Sequence, residues 1–214
     1  MKTHRAEVLR NRREMKAREE LFLRHGYDSA AALAFVVELA SPISGYVLEI
    51  GTGRGRFLAA LARRAERIAT VDIDRATQRA ARLHISRTRA WRPIRFVVGD
   101  AERLEWPDAT FDVVATANAF HHLERPLNVL REMMRVLKPG GKLVLADFSA
   151  GGFRIFDRIH RAEGRVHPRL PDGLREFRRE LRRAGWRTRS AKGCHQEVLV
   201  AHAPGEPAES RRRR

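Results

Sequence analysis

The chain has 214 residues, of which 43% are hydrophobic, and this length suits one domain of about 150–200 residues with small additions. Its formal net charge is +17, so the composition indicates either a polyanionic partner such as RNA or an arginine-rich surface without a specific partner. The single cysteine excludes an internal disulfide, no apolar run is long enough to span a bilayer, and the charged N-terminus lacks signal-peptide character, which together predict a cytoplasmic protein.

Residues 1–45 are predicted to form two helices. Residues 5–25 contain few helix breakers, and Asp28 or Ser29 can cap a second helix that ends at Ser41-Pro42. We expect these helices to pack on the core or to cover a ligand site as a lid.

A glycine-rich turn follows the first predicted strand, Tyr46–Ile50. Gly51, Gly53 and Gly55 precede a helical pattern that begins at Arg56. Glycine permits positive φ and close approach of a ligand, and a helix N-terminus offers free N–H groups. The dinucleotide pattern G-x-G-x-x-G would require glycine in place of Arg56, so the turn indicates another nucleotide-type ligand or an ordinary strand-to-helix connection.

Strands alternate with helices from this turn onward. Four further strands are predicted at 68–71, 94–98, 111–116 and 142–146, with helices at 56–65 and 75–89 and another after 126. This order indicates βαβ units and a parallel sheet, in which ligands bind outside the carboxyl ends of the strands. Polar residues at those ends are Glu49, Asp72, Asp100, Asn118 and Asp147.

Asp72 has the position that holds ribose hydroxyls in nucleotide-binding α/β folds, at the end of the second strand and about 20 residues after the first glycine. A carboxylate can accept hydrogen bonds from both the 2′- and the 3′-hydroxyl groups. Asp74, two residues later, is predicted to cap the next helix instead.

Several segments, taken in order, resemble the motifs of the small class I S-adenosylmethionine (SAM)-dependent methyltransferases, including enzymes of ubiquinone and menaquinone biosynthesis. They are Val47–Phe57, Val71-Asp72, Gly99-Asp100, Phe111–Val114 and Arg135–Gly141. The resemblance implies an α/β, Rossmann-like three-layer αβα sandwich over residues 46–203. Its seven-stranded sheet is mostly parallel, with the last strand antiparallel. Residues 149–171 would be a substrate-side insertion, and the composition of 204–214 predicts a disordered basic tail.

The resemblance also implies SAM as methyl donor and S-adenosylhomocysteine as product. In this family an acidic residue at the position of Asp100 faces the adenine amino group, and Ala101 can offer a backbone N–H to the ring. The predicted cofactor-binding residues are Glu49, Gly51, Thr52, Gly53, Gly55, Asp72, Ile73, Asp100, Ala101 and Asn118.

His121 and His122 follow the fourth strand, beside the expected position of the methyl group. A histidine there can take a proton from a hydroxyl or amine acceptor, so both are predicted catalytic residues, with helix capping or packing as the alternative.

A second cluster, His160, Glu163 and His167, is predicted to contact the substrate, because insertions after the fifth strand commonly cover the substrate in this fold. Its spacing also suits a metal site, to which His195 or Asp147 could add a ligand. Since nothing in the sequence fixes a third ligand or a supporting shell, we predict no metal.

The region after the fourth strand limits the class of acceptor. Residues 116–120 lack the Asn/Asp-Pro-Pro-Tyr motif of enzymes that methylate exocyclic amines of bases, and Cys194 lies far from the place where cytosine C5-methylating enzymes carry their nucleophile. The sequence therefore predicts a methyltransferase with a small-molecule acceptor. RNA methylation and non-enzymatic SAM binding stay open as alternatives, as do the acceptor atom and the oligomeric state.

Overall fold

The computed structural model describes residues 2–86 and 93–205, with side chains from residue 5 onward. The helices and strands follow in chain order: α1 Lys2–Arg24, α2 Ser29–Ala40, β1 Tyr46–Ile50, α3 Arg56–Leu61, β2 Arg67–Asp72, α4 Arg75–Ile85, β3 Ile94–Val98, β4 Phe111–Ala117, a 3₁₀ turn Phe120–His122, α5 Pro126–Val136, β5 Leu137–Phe148, α6 Ala150–Ala162, α7 Arg175–Arg183, β6 Arg187–Gly193 and β7 Gln196–His202.

The seven strands form one sheet in the order β3-β2-β1-β4-β5-β7-β6. Strands β1 to β5 are parallel, and β7 lies antiparallel between β5 and β6. The chain reverses its direction of travel across the sheet between β1 and β4, and this switch point is where open α/β sheets bind ligands. The predicted seven-stranded, mostly parallel sheet with an antiparallel last strand is confirmed.

Two hydrophobic clusters cover the two faces of the sheet. On one face, α5 and α7 bury residues such as Met133 and Phe177 against Leu48 and Leu143. On the other face, α2, α3 and α4 bury side chains including Val36, Leu58 and Ile85. Because successive residues of a strand point to opposite faces, the central strands are apolar on both sides, as a sheet sandwiched between helices requires.

A third cluster lies where α1, α2 and α6 meet the carboxyl end of β5. Phe22 and Tyr27 pack there against Phe148, Phe153 and Phe156. Tyr27 lies edge-on to Phe156 with ring centroids 4.9 Å apart, and Phe148 stacks on Phe156 at 4.1 Å. The N-terminal helices are thus joined to α6 by aromatic packing. None of the described helices is both long and apolar enough to cross a membrane.

Three element boundaries differ from prediction by several residues. Helix α3 ends at Leu61 rather than at 65, and β5 begins at Leu137 because its first residue pairs with Phe111 before a register shift. Helix α4 ends at Ile85, so the rest of its predicted span falls in part outside the described residues. The predicted disordered tail lies outside them from residue 206 onward.

Candidate functional site

A cavity of about 780 Å³ opens at the carboxyl ends of the parallel strands. Its wall joins the glycine-rich turn to the loops after β2, β3 and β4, and α1 and α2 close one side. The lining residues used below are Phe22, Tyr27, Gly51, Thr52, Gly53, Asp72, Ile73, Asp100, Ala101, Asn118, His122, Phe148 and Phe156.

The turn after β1 needs glycine for two different reasons. Gly51 has a φ of 80°, and a Cβ placed on it would lie 2.7 Å from the Cβ of Ala119. Gly53 has a φ of 50° but nothing within 4 Å of such a Cβ, so there the open space belongs to the cavity. The backbone can therefore approach a ligand closely at Gly53.

Asp72 is held by the loops on both sides of it. Its Oδ2 accepts a hydrogen bond from the backbone N–H of Gly53 at 2.9 Å, and its Oδ1 accepts one from Asp74 at 3.0 Å. Each oxygen keeps capacity for a further donor, so the carboxylate can still bind two neighbouring hydroxyl groups. Asp74 caps α4 as predicted, with its Oδ1 accepting from the Ala76 N–H at 2.8 Å.

The loops after β2 and β3 form the most open end of the cavity. Ile73 is 75% exposed although it is a large apolar residue, which makes it a free surface for a flat ring. The Oδ1 atom of Asp100 accepts from the Glu102 N–H at 2.8 Å, and both Asp100 and Ala101 line the cavity. The positions predicted to meet adenine therefore lie on one wall.

Glu49 is placed differently from the other predicted cofactor residues. It is fully buried, does not line the cavity, and its Oε2 accepts from the Thr70 hydroxyl at 2.6 Å. Its Oε1 has no hydrogen-bond partner in the described part of the chain. Burial raises the pKa of Glu49 to about 8, although the Thr70 hydrogen bond opposes this shift. Glu49 therefore lies beneath the turn and away from the cavity wall, and its role at the cofactor stays a prediction.

Tyr27 belongs to the site and Gln196 supports it through a hydrogen bond, but neither was singled out from the sequence. Tyr27 is 2% exposed, lines the cavity, and accepts a hydrogen bond from Gln196 Nε2 at 2.9 Å. Burial raises the pKa of Tyr27 far above its ordinary value, so the phenol stays protonated. Little in the sequence marked Tyr27 as a site residue. Its only distinguishing features are that it is one of two tyrosines and that it directly precedes the N-cap of α2.

The two predicted catalytic histidines have different surroundings. His121 is 5% exposed, and its Nδ1 lies 2.6 Å from Asp147 Oδ1. His122 lines the cavity, whereas His121 does not. Burial, and then the neighbouring His121, lowers the pKa of His122 to about 4. Both roles stay predictions, but only His122 can meet a ligand directly in this arrangement.

The predicted substrate cluster is divided in the structure, and none of its three members lines the cavity. Glu163 is bound to Arg18 and Arg165, and those hydrogen bonds lower its pKa to about 2. His167 turns inward instead, with its ring centroid 4.7 Å from that of His121 and 4.5 Å from that of His160. Burial, followed by its histidine neighbours, lowers the pKa of His167 to about 3.

Comparison with known proteins relates the chain to methyltransferases. Residues 48–145 match the family described as a methyltransferase domain. A demethylmenaquinone methyltransferase of Deinococcus radiodurans is 36% identical over 143 residues, which make up 64% of this chain and 56% of that protein. A 27-O-demethylrifamycin SV methyltransferase of Amycolatopsis mediterranei is 29% identical over 195 residues, covering 81% of this chain and 70% of that protein.

The structural comparison agrees. The N-methyltransferase NodS of Bradyrhizobium japonicum, solved with S-adenosylhomocysteine, has a TM-score of 0.60 at 20% identity and covers 82% of this chain and 87% of its own. The chain spans about half the length of the menaquinone and ubiquinone enzymes that it matches.

The strand order and the cavity at the β1–β4 switch point define a Rossmann-like α/β protein with a nucleotide-type site. Within that class, residues 48–145 are similar to a methyltransferase domain, and the solved structures that the chain resembles include one with S-adenosylhomocysteine bound. SAM is therefore the cofactor with which the site is compared.

The residues present fit this cofactor. The bare backbone at Gly53 and the open acceptors of Asp72 suit an adenosyl ribose, and Ile73 offers an apolar surface for a ring. Further along, the Oδ1 atom of Asn118 is buried without a hydrogen-bond partner among the described residues, and Asn118 lines the cavity. An ammonium donor of the bound amino acid group would satisfy such an acceptor.

Proposed function

We propose that this chain catalyses methyl transfer from SAM to a small aromatic or largely apolar acceptor. The observation that carries the proposal is the division of the cavity into two ends. One end has the carboxylates of Asp72 and Asp100, and the other has the rings of Phe22, Phe148 and Phe156. A volume of about 780 Å³ is at the large end of the range for small-molecule sites and leaves room for an acceptor beside the cofactor.

SAM supplies the reactive methyl group on its sulfonium, so the protein mainly has to bind and orient the two reactants. We propose that Asp72 binds the ribose hydroxyls and that Asp100 and Ala101 bind the adenine edge. The N-terminal helices place Phe22 and Tyr27 over the apolar end, where they exclude water. His122 is the polar residue that we propose lies nearest the acceptor there.

The names of the relatives suggest which acceptors to try. One relative is named for demethylmenaquinone and another for 27-O-demethylrifamycin SV, and both names denote organic molecules with a ring system. Aromatic acceptors suit the Phe148–Phe156 stack, since aromatic pairs gain about 0.5–1.5 kcal/mol beyond burial of their area.

The proposal is tested by isothermal titration with SAM and S-adenosylhomocysteine, followed by transfer of labelled methyl to quinols, phenols and macrocyclic phenols. We expect binding of both cofactor forms and label in at least one ring-containing acceptor. Absence of SAM binding would overturn the proposal, and label that enters tRNA or rRNA instead of any small molecule would replace the proposed acceptor class.

A further inference from the structure

Three histidines from two separate segments come together behind the apolar end of the cavity. His121 and His122 belong to the 3₁₀ turn after β4, and His167 lies between α6 and α7. Each offers a ring nitrogen, and these nitrogens all lie within 4.8 Å of one another. Their ring centroids are 4.0 Å apart for His121 and His122, and 5.8 Å apart for His122 and His167.

The nitrogens of the buried pair lack partners. The Nδ1 atom of His121 lies against Asp147 Oδ1, which leaves Nε2 as the ring atom free to bind a ligand, and Nε2 has no hydrogen-bond partner within the described ranges. The Nδ1 atom of His167 is likewise buried and unpaired there, and the residue is 7% exposed. Leaving a buried polar atom without a partner is unfavourable, so two such atoms side by side call for a shared ligand.

The surroundings have the composition of a metal site. A carboxylate that orients a histidine through its far nitrogen is the usual support of a metal-bound imidazole, and the Asp147–His121 contact has this form at 2.6 Å. Asp147 is itself fixed by the Phe148 N–H at 2.8 Å. Phe148 and Phe153 pack beside the rings at 5.4 and 5.5 Å and form an apolar shell.

We propose that His121, His122 and His167 bind one divalent transition-metal ion, with Zn²⁺ as the best match. Three imidazoles suit zinc and its neighbours in the first row, whereas Mg²⁺ and Ca²⁺ prefer oxygen ligands. A tetrahedral Zn²⁺ with bonds of about 2.0–2.1 Å needs nitrogens roughly 3.4 Å apart. Since the nitrogens lie within 4.8 Å of one another, the widest pair must close by at most about 1.4 Å, which side-chain rotation can supply.

Of the three histidines, His122 lines the cavity, so an ion held by them would lie at the edge of its apolar end and could bind an acceptor group there as a fourth ligand. The role of the ion, unlike the site, rests on the proposed function. An acceptor hydroxyl bound at that position loses its proton to water more readily, and its oxygen then accepts the methyl group while the sulfur keeps the electron pair of the broken C–S bond. His122 would thus act on the acceptor through the ion.

The site is tested on the untagged, chelator-treated chain by titration with Zn²⁺ and by the visible absorption of bound Co²⁺. We expect one ion per chain and a tetrahedral Co²⁺ spectrum. His122→Ala and His167→Ala should each weaken binding by about 100-fold or more, and Asp147→Asn by about 10–100-fold. His25→Ala is the matched control, since it removes a histidine outside the cluster, and it should bind like the parent chain.

Circular dichroism checks that each variant is folded, and His122→Gln replaces His122→Ala if the latter is not. Absence of stoichiometric binding, or binding that survives His167→Ala as it survives His25→Ala, would overturn the site. Titration with SAM in the same chelator-treated sample separates the two proposals. SAM binding without metal binding leaves the methyltransferase proposal standing and rejects the metal site. Metal binding without SAM binding supports the metal site and rejects the methyltransferase proposal.

Discussion

Replacement of Asp72 by alanine tests the proposed cofactor site most directly. Each carboxylate oxygen already accepts one backbone N–H, from Gly53 at 2.9 Å and from Asp74 at 3.0 Å, and keeps room for one ribose hydroxyl. A hydrogen bond to a charged group contributes about 1.5–3 kcal/mol, so the loss of two at the lower bound costs about 3 kcal/mol. We therefore expect the Kd for SAM to rise by about 100-fold.

Asp74→Ala is the matched control for this change. It removes a carboxylate two residues away that caps α4, which should lower stability slightly but leave the Kd for SAM within about threefold of the parent value. Isothermal titration gives both Kd values, and thermal unfolding shows whether either variant has lost its fold. The reasoning is refuted if Asp72→Ala binds SAM normally, or if Asp74→Ala is the variant that binds poorly.

Three further changes test other parts of the structure. In urea unfolding, Gly51→Ala should destabilise the chain by about 1–2 kcal/mol more than Gly140→Ala. Both glycines have a positive φ, but only a Cβ at Gly51 would clash, because it would lie 2.7 Å from the Cβ of Ala119. Equal losses of stability in the two variants would contradict this explanation. The pKa of Glu49 is raised in the folded state to about 8. Between pH 4.5 and 8 the folded chain therefore holds a proton that the unfolded chain releases. The free energy of unfolding should fall by up to about 1.4 kcal/mol per pH unit as the pH rises through this range. Glu49→Gln should flatten that slope in unfolding experiments, and an unchanged slope would assign it to other groups. Glu163→Gln removes exposed ion pairs only, so the KM for the acceptor should not change and stability should fall by less than about 1 kcal/mol; a large rise in KM would restore its predicted role at the substrate.

The fold was predictable because its signals are local. Buried strands, amphipathic helices and turn residues each leave a pattern within a short window, and the βαβ order then leaves few topologies. The boundary errors come from contacts outside those windows. Strand β5 begins at Leu137 because that residue pairs with Phe111 of β4, and no local pattern around Leu137 shows this pairing.

The candidate site was predictable in part. Asp72 is the last residue of β2, and Asp100 follows the end of β3. Because ligands of parallel α/β sheets bind at the carboxyl ends of the strands, both positions were expected at the cavity, and both line it. Glu49 precedes Ile50 within β1, and a residue inside a strand points to a face of the sheet rather than to its edge. That is the physical reason why Glu49 is buried against Thr70 while the other carboxylates reach the cavity.

The sequence by itself determined the order of strands and helices, the glycine turn and the carboxylates at the sheet edge, because periodicity and backbone preference act over a few residues. Only the tertiary structure decided which distant residues meet. Tyr27 and Gln196, 169 positions apart, share a hydrogen bond, and His167 joins His121 while the nearby Glu163 pairs with arginines. Such contacts depend on the path of the whole chain, and no local pattern encodes them.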